Sequence, residues 1–311
     1  GVRYSDYEAS SVTKPRASFI WDATDIFSLR FSYEETYRVP LLSNNVQESL
    51  QRYAPLGEYV TIATPVASSL QPEESQNMNL GFIIRPDERS QITFDYFSIA
   101  FTNGFGTEAA TCPCAEIVYV TPGDPNSGIA RIETELINGD DVDISGLDFE
   151  GTVGFDAGNT VMQFSYGGTY LTQYDVAGAI SGGMYDALGK FNTRSADSPI
   201  NLRSVPELQL YLGLGIEIDI HSINMYVRHV GEYDVPDTIT AAYQFIDKID
   251  SMNTLDFNYS VRLADDRVRI NLSAYNLLGE DPPLAPSELG YDAYSHSPVG
   301  TIIKAGLQYR F

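Results

Sequence analysis

Two cysteines, three histidines and one tryptophan stand among 311 residues, so the side chains most often used for metal, redox and acid–base chemistry are scarce. Cys112 and Cys114 sit in Thr-Cys-Pro-Cys-Ala, far in sequence from His221, His229 and His296. A Cys-x-Cys pair falls short of a four-ligand metal site. The expected state is a disulfide in an oxidising compartment, with inert thiols behind it and a metal site last. Basic residues are also few: Lys+Arg is 19 against 42 Asp+Glu, a net charge of -23. Such a surface repels phosphate backbones and excludes nucleic acid as a partner. There is no run of roughly 18 apolar residues, which excludes membrane-spanning helices. No nucleophile-elbow motif frames a serine. Gly167-Gly168 and Gly182-Gly183 lack the strand–turn–helix setting of a phosphate loop. The acidic positions Asp124, Glu133, Glu135, Asp140 and Asp141 lack calcium-loop spacing. Neither an enzyme nor a cofactor or metal is therefore expected. Gly1–Tyr7 carries no targeting signal and reads as a strand entered in its middle. An exported protein would have its amino-terminal part outside these residues.

What the chain has in abundance is alternation with a period of two. Phe27, Leu29, Phe31 and Tyr33 alternate with Ser28, Arg30, Ser32 and Glu34. Successive side chains of a strand point to opposite faces, so each such segment has one apolar and one polar face. The same pattern marks Gly1–Tyr7, Val12–Asp22, a strand around Met78–Ile84, and one around Ile92–Tyr96. It continues through Val142–Phe155, Met162–Tyr166, Leu208–Leu214, Ile223–Val227, Leu255–Val261, Val268–Ala274 and Ile302–Phe311. That makes about 12 strands, an even number, as outer-membrane barrels have.

The connections carry more information than any one strand. Short turns at Asp22–Asp25, Arg85–Arg89, Asp156–Asn159, Glu217–Asp219 and Ala264–Asp266 alternate with long segments. In an antiparallel meander, alternate connections emerge at the same end. All the long loops then lie at one end of the sheet, as in a transmembrane barrel with short periplasmic turns and long extracellular loops. Ile129–Ile137 also looks extended. Counting it as a spanning strand would swap the ends halfway, so it is read as part of the extracellular excursion before Val142. Two alternatives remain at this level. One is a complete small passive pore of about 12 strands. The other is a soluble β-sandwich binding module that buries its apolar faces between two sheets.

Four stretches resemble the TonB-dependent outer-membrane receptors. The first is Phe31-Ser32-Tyr33-Glu34-Glu35-Thr36-Tyr37-Arg38-Val39-Pro40, similar to that family's strand ending in aromatic-Arg-x-Pro. The second is Leu70-Gln71-Pro72-Glu73-Glu74-Ser75 leading into Leu80-Gly81-Phe82. The third is Ser145-Gly146-Leu147-Asp148-Phe149-Glu150. The fourth joins Asn276-Leu277-Leu278, Asp281-Pro282-Pro283 and Tyr291-Asp292 to the terminal strand ending at Phe311. Leu278 departs from a common aromatic and Thr301 from a common arginine. The resemblance implies that residues 1–311 are the carboxy-terminal part of a 22-stranded barrel, with no plug domain among them. It further implies the outer membrane of a Gram-negative bacterium and energised uptake of a scarce solute such as an iron chelate, cobalamin or a glycan. The implied partners are lipid, the solute, the TonB complex through a plug outside these residues, and the barrel-assembly machinery. The machinery would read the terminal strand at Leu307, Tyr309 and Phe311.

On this reading the polar faces and outer loops hold the candidate ligand-binding residues. Arg30, Glu34, Arg38, Asp95 and Arg228 are expected to meet solute or plug, or to be ion-paired wall residues. Loop tyrosines such as Tyr53, Tyr59, Tyr119 and Tyr185 are candidate stacking partners, or members of an interfacial aromatic girdle.

Overall fold

The structure, a computed structural model, describes residues 1–6, 11–39, 47–53, 58–64, 70–107, 115–139, 141–177, 184–191, 203–236, 246–287 and 289–311. Cys112 and Cys114 lie outside the described residues. Twelve strands form one unbroken antiparallel path: β1 (Val2–Asp6), β2 (Ser11–Asp22), β3 (Phe27–Arg38), β4 (Glu73–Asp87), β5 (Ser90–Thr102), β6 (Asp141–Ala157), β7 (Thr160–Ala177), β8 (Leu208–Ile218), β9 (His221–Val230), β10 (Met252–Leu263), β11 (Val268–Tyr275) and β12 (Ile302–Tyr309). Each pairs with its sequence neighbours, and Met184–Asp186 adds a short flap on β7. The sheet is open: β1 and β12 are not paired with each other among the described residues.

The tight turns owe their shape to local chemistry. In the β2–β3 turn, the Thr24 hydroxyl accepts from the Ile26 and Phe27 amides at 3.2 and 3.0 Å. In the β4–β5 turn, the Asp87 carboxylate accepts from the Arg89 amide at 2.8 Å. Such bonds replace the ladder where the chain reverses. The β10–β11 turn is strained, with Ala264, Asp265 and Asp266 at φ of 53°, 53° and 65°. A left-handed conformation costs non-glycine residues about 1–2 kcal/mol each.

The two faces of the sheet are unlike. One apolar row crosses seven strands in register: Phe19, Phe31, Leu80, Tyr96, Leu147, Tyr170 and Leu208. Nothing among the described residues covers it; Phe19 is 60% and Leu80 53% exposed. A stacked series from Phe27 through Phe82, Phe94 and Phe149 to Tyr166 continues the belt, with ring centroids 5.3–6.4 Å apart. A sandwich would have buried these side chains against a second sheet. Soluble monomers rarely expose an apolar patch this wide. The β-sandwich alternative is therefore corrected.

The clusters of buried apolar side chains lie instead at the end where β3, β5, β7, β9 and β11 finish. A four-stranded sheet runs Gln47–Tyr53, Glu58–Thr64, Ile129–Glu133, Glu116–Tyr119, with the middle pair parallel. It joins the excursion after β3 to the one after β5 around Val60, Ile62 and Ile132. Ile129–Glu133 is thus not a spanning strand, as expected. It pairs antiparallel with Glu116–Tyr119 of its own excursion and parallel with Glu58–Thr64 of the excursion after β3, not with the strand that follows it. A second loop core of Phe191, Tyr233, Val235, Ile249 and Ala285 joins the excursions after β7, β9 and β11.

Candidate functional site

The polar face has its own cross-strand row, Arg30–Gly81–Asp95–Asp148–Thr169–Gln209, one residue per strand from β3 to β8. Arg30 and Asp95 are two strands apart, yet they are bonded. Arg30 Nε donates to Asp95 Oδ1 at 2.6 Å and Nη2 donates to Oδ2. The pair can form because Gly81 between them has no side chain. A Cβ there would stand 1.9 Å from Asp95 Oδ1 and 2.6 Å from the Phe94 carbonyl oxygen. Asp95 is buried, and it faces Asp148 directly across the strand pair. Arg30 offsets that like-charge contact, which alone would be destabilising.

Arg228 on β9 makes the matching pair with Asp256 on β10. Asp256 is buried and also accepts the Asn276 amide at 3.0 Å. Between the two pairs the wall recedes into a cavity of about 690 Å³, lined by Arg30, Asp95, Asp148, Glu150, Tyr211 and Arg228 among others. Its floor is low because Gly167 lies under the Tyr211 ring, 2.6 Å from where a Cβ would be. Thr169 donates to Asp148 at 2.6 Å. Both arginines are occupied by carboxylates, while Asp148 and Glu150 have no basic partner within ion-pair distance among the described residues. The cavity wall is therefore acidic. It suits a solute rich in hydroxyl or amine donors, or donor groups of another protein segment.

The five expected ligand residues divide. Arg30, Asp95 and Arg228 meet at the cavity. Glu34 lies apart, 3.9 Å from Arg16 on the neighbouring strand. Arg38 sits at the loop end of β3, paired with Glu73 and over the Phe105 ring at 5.3 Å. Glu73 is buried and also accepts the Phe105 amide at 2.6 Å, so this group anchors the loop after β5 to the wall. Of the loop tyrosines, Tyr59 is 69% exposed, and Tyr185 lies beneath the Lys190 ammonium at 4.9 Å.

A family comparison identifies this architecture. The description "TonB dependent receptor-like, beta-barrel" matches residues 1–277. The chain belongs to this family. Solved structures with the same fold include the siderophore receptor PirA from Acinetobacter baumannii, at 15% identity and TM-score 0.67, covering 100% of this chain and 43% of that one. The ferric enterobactin receptor PfeA from Pseudomonas aeruginosa matches at 15% identity and TM-score 0.67, covering 100% and 42%. The FrpB iron transporter from Neisseria meningitidis matches at 14% identity and TM-score 0.60, covering 97% and 40%. A comparison with curated protein sequences gave no match. The chain spans less than half the length of these solved receptors. The expected family and the antiparallel barrel fold are thereby borne out.

In this receptor barrel the second loop core contains a buried polar cluster that the sequence reading missed. Tyr233 donates to Asp292 Oδ2 at 2.7 Å, and His296 Nε2 lies 3.1 Å from the same hydroxyl, its ring stacked on Tyr233 at 6.0 Å. All three are buried, and His296 Nδ1 has no hydrogen-bond partner among the described residues. Burial drives the Tyr233 hydroxyl well up and holds the His296 imidazole below its ordinary value, although Asp292 pulls the imidazole up. Burial also raises Asp292, but hydrogen bonds from Tyr233, Ser204, the Tyr294 amide and Ser295 hold it below the usual carboxylate range. A group whose folded pKa is depressed stabilises above its unfolded value and loses that contribution as pH falls. Loop packing should therefore weaken as pH drops below about 6.5, the ordinary histidine value, and again below 3.8, where Asp292 would ordinarily titrate. Tyr233→Phe should loosen the three loops by about 1–3 kcal/mol, since it strips a donor from a buried carboxylate. Amide exchange of residues 231–236 and 284–296 at pH 7.5 and 5.5 checks both effects. Unchanged protection in the variant and at the lower pH would contradict them.

Proposed function

We propose that residues 1–311 form the carboxy-terminal part of the barrel of a TonB-dependent receptor in the outer membrane of a Gram-negative bacterium, and that the whole protein imports an iron chelate. One observation carries the reading: a single meander of twelve strands with its apolar face bare and its long excursions all at one end. Lipid covers the apolar face, the excursions face outward, and the polar face lines the passage. The solved structures of the same fold are named as a siderophore receptor, a ferric enterobactin receptor and an iron transporter, which supports iron over cobalamin or a glycan. The acidic cavity between Arg30–Asp95 and Arg228–Asp256 meets the solute or the plug. Energy reaches the solute from the TonB complex through a plug outside these residues. Leu307, Tyr309 and Phe311 are exposed on β12 and beyond it, available to barrel-assembly machinery.

Deletion of the gene, followed by growth on single ferric chelates, on cobalamin and on glycans as sole sources, tests the proposal. The expected result is loss of growth on one ferric chelate, restored by the intact gene. Loss on cobalamin or a glycan alone would overturn the iron assignment and leave the transport reading. Unchanged uptake of every candidate would overturn both.

A further inference from the structure

Several cations of the polar face and turns are matched by a carboxylate: Arg30 with Asp95, Arg38 with Glu73, Arg89 with Asp156 and Arg228 with Asp256. The turn end of the last hairpin breaks that pattern. Arg262 on β10 and Arg269 on β11 are direct cross-strand partners on the polar face, with Gln308 of β12 opposite Arg269. Like charges directly opposite are destabilising. Arg267 and Arg310 join them, the two segments being tied by the Arg310 amide donating to the Arg267 carbonyl at 2.8 Å. These four guanidinium groups line one cleft of about 90 Å³ with a single carboxylate, Asp266, which lies 3.7 Å from Arg262. Arg262 Nη2 also donates to the Asp219 carbonyl at 3.2 Å, and Arg267 Nε to the Ala264 carbonyl at 3.2 Å. Arg269 and Arg310 have no acidic partner within ion-pair distance among the described residues, in a chain with more than two acids per base.

Local rules are broken together where a binding function is retained. Here the broken rules are the like-charge pair and, beside it, the left-handed run Ala264–Asp266. The cleft has room for about three waters at ~30 Å³ each, which is the scale of one oxyanion and too small for a folded segment. Four arginines against one carboxylate leave an excess that a dianion balances better than a monoanion. The planar guanidinium fork matches phosphate oxygens bidentately. We infer that this cleft, at the end of the polar face away from the long loops, is a binding site for one phosphate group, free or carried on a larger molecule. Arg269 and Arg310 supply the open forks, and Arg262 and Arg267 set the field.

The test uses the full-length receptor in a zwitterionic detergent with two probes, inorganic phosphate and glycerol 3-phosphate, each titrated by equilibrium dialysis. Saturable binding is expected, weakened about tenfold in Arg269→Gln and in Arg310→Gln, the loss for one charge-assisted bond. Asp266→Asn should tighten binding, and it keeps the test alive if an arginine variant does not fold. Binding of both probes assigns the site to the phosphate group itself. Binding of glycerol 3-phosphate alone assigns it to an ester. No saturable binding of either, as when a carboxylate of a neighbouring strand already fills the cleft, overturns the inference. So does binding that none of the three substitutions alters.

Discussion

Gly81→Ala is expected to destabilise the barrel by several kcal/mol, although it adds one methyl group on a face that tolerates polar residues. The new Cβ would meet Asp95 Oδ1 at 1.9 Å and the Phe94 carbonyl at 2.6 Å. The first contact is with a side chain that can swing, but the second is backbone, and β4 and β5 must separate to relieve it. Overpacking of this kind costs about 1–3 kcal/mol. Swinging Asp95 away from Arg30 leaves a buried carboxylate opposite Asp148 with no cation. Losing the partner of a buried charge costs about 3–5 kcal/mol. Because Arg30 is partly exposed to water, the combined loss should fall near the middle of these ranges rather than at their sum. Urea titration of the detergent-folded protein reads the loss as a lower midpoint. Arg30→Met separates the two causes, since it removes the cation without the clash. If Gly81→Ala matches the parent while Arg30→Met falls, the steric argument is wrong. If neither falls, the ion pair does not hold the wall.

The strands are legible because a single sheet with one bare apolar face and one polar face has a period of two that no core packing blurs. Phe27–Tyr33 and Leu208–Leu214 display it openly. The connection order gives direction and keeps Ile129–Ile137 out of the wall. What it pairs with was not legible. Its parallel neighbour, Glu58–Thr64, lies some seventy residues away in sequence, and no local pattern announces a partner that far off. The charges of the site were visible as a polar face, but pairs depend on register. Arg30 reaches Asp95 only because a glycine intervenes, and a Leu-Gly-Phe triplet reads as a strand without showing that its glycine is a hole. Asp256 is one polar position among several between Leu255, Phe257, Tyr259 and Val261, and nothing local marks it as buried. The Tyr233–Asp292–His296 cluster joins two excursions, the one after β9 and the one after β11, so only the folded loops bring it together.

Asn276→Ala should cost about 3 kcal/mol and loosen the excursion between β11 and β12, with effects that reach the cavity. Asn276 stands one residue beyond β11 at φ 47°, buried, where the chain leaves the wall. Asparagine is among the few side chains that accept this left-handed geometry, which costs an alanine about 1–2 kcal/mol. Its amide nitrogen Nδ2 donates to the Glu280 carbonyl at 2.8 Å, and its Oδ1 accepts the Glu280 amide at 3.0 Å. Those two bonds close a small loop and are worth about 1 kcal/mol each. The backbone is held as well: Thr301 donates to the Asn276 carbonyl at 2.7 Å, and the Asn276 amide donates to Asp256. Asp256 in turn pairs with Arg228, so a displaced Asn276 backbone also frees one side of the cavity wall. Asn276→Gly isolates the conformational part, because glycine adopts positive φ freely while losing both side-chain bonds. Its loss should be about 2 kcal/mol, smaller than that of Asn276→Ala. Equal losses would remove the backbone argument and leave the hydrogen bonds. A shift below about 0.5 kcal/mol in both, the size of an ordinary surface substitution, would show that the loop holds without this residue and that the cavity does not depend on it.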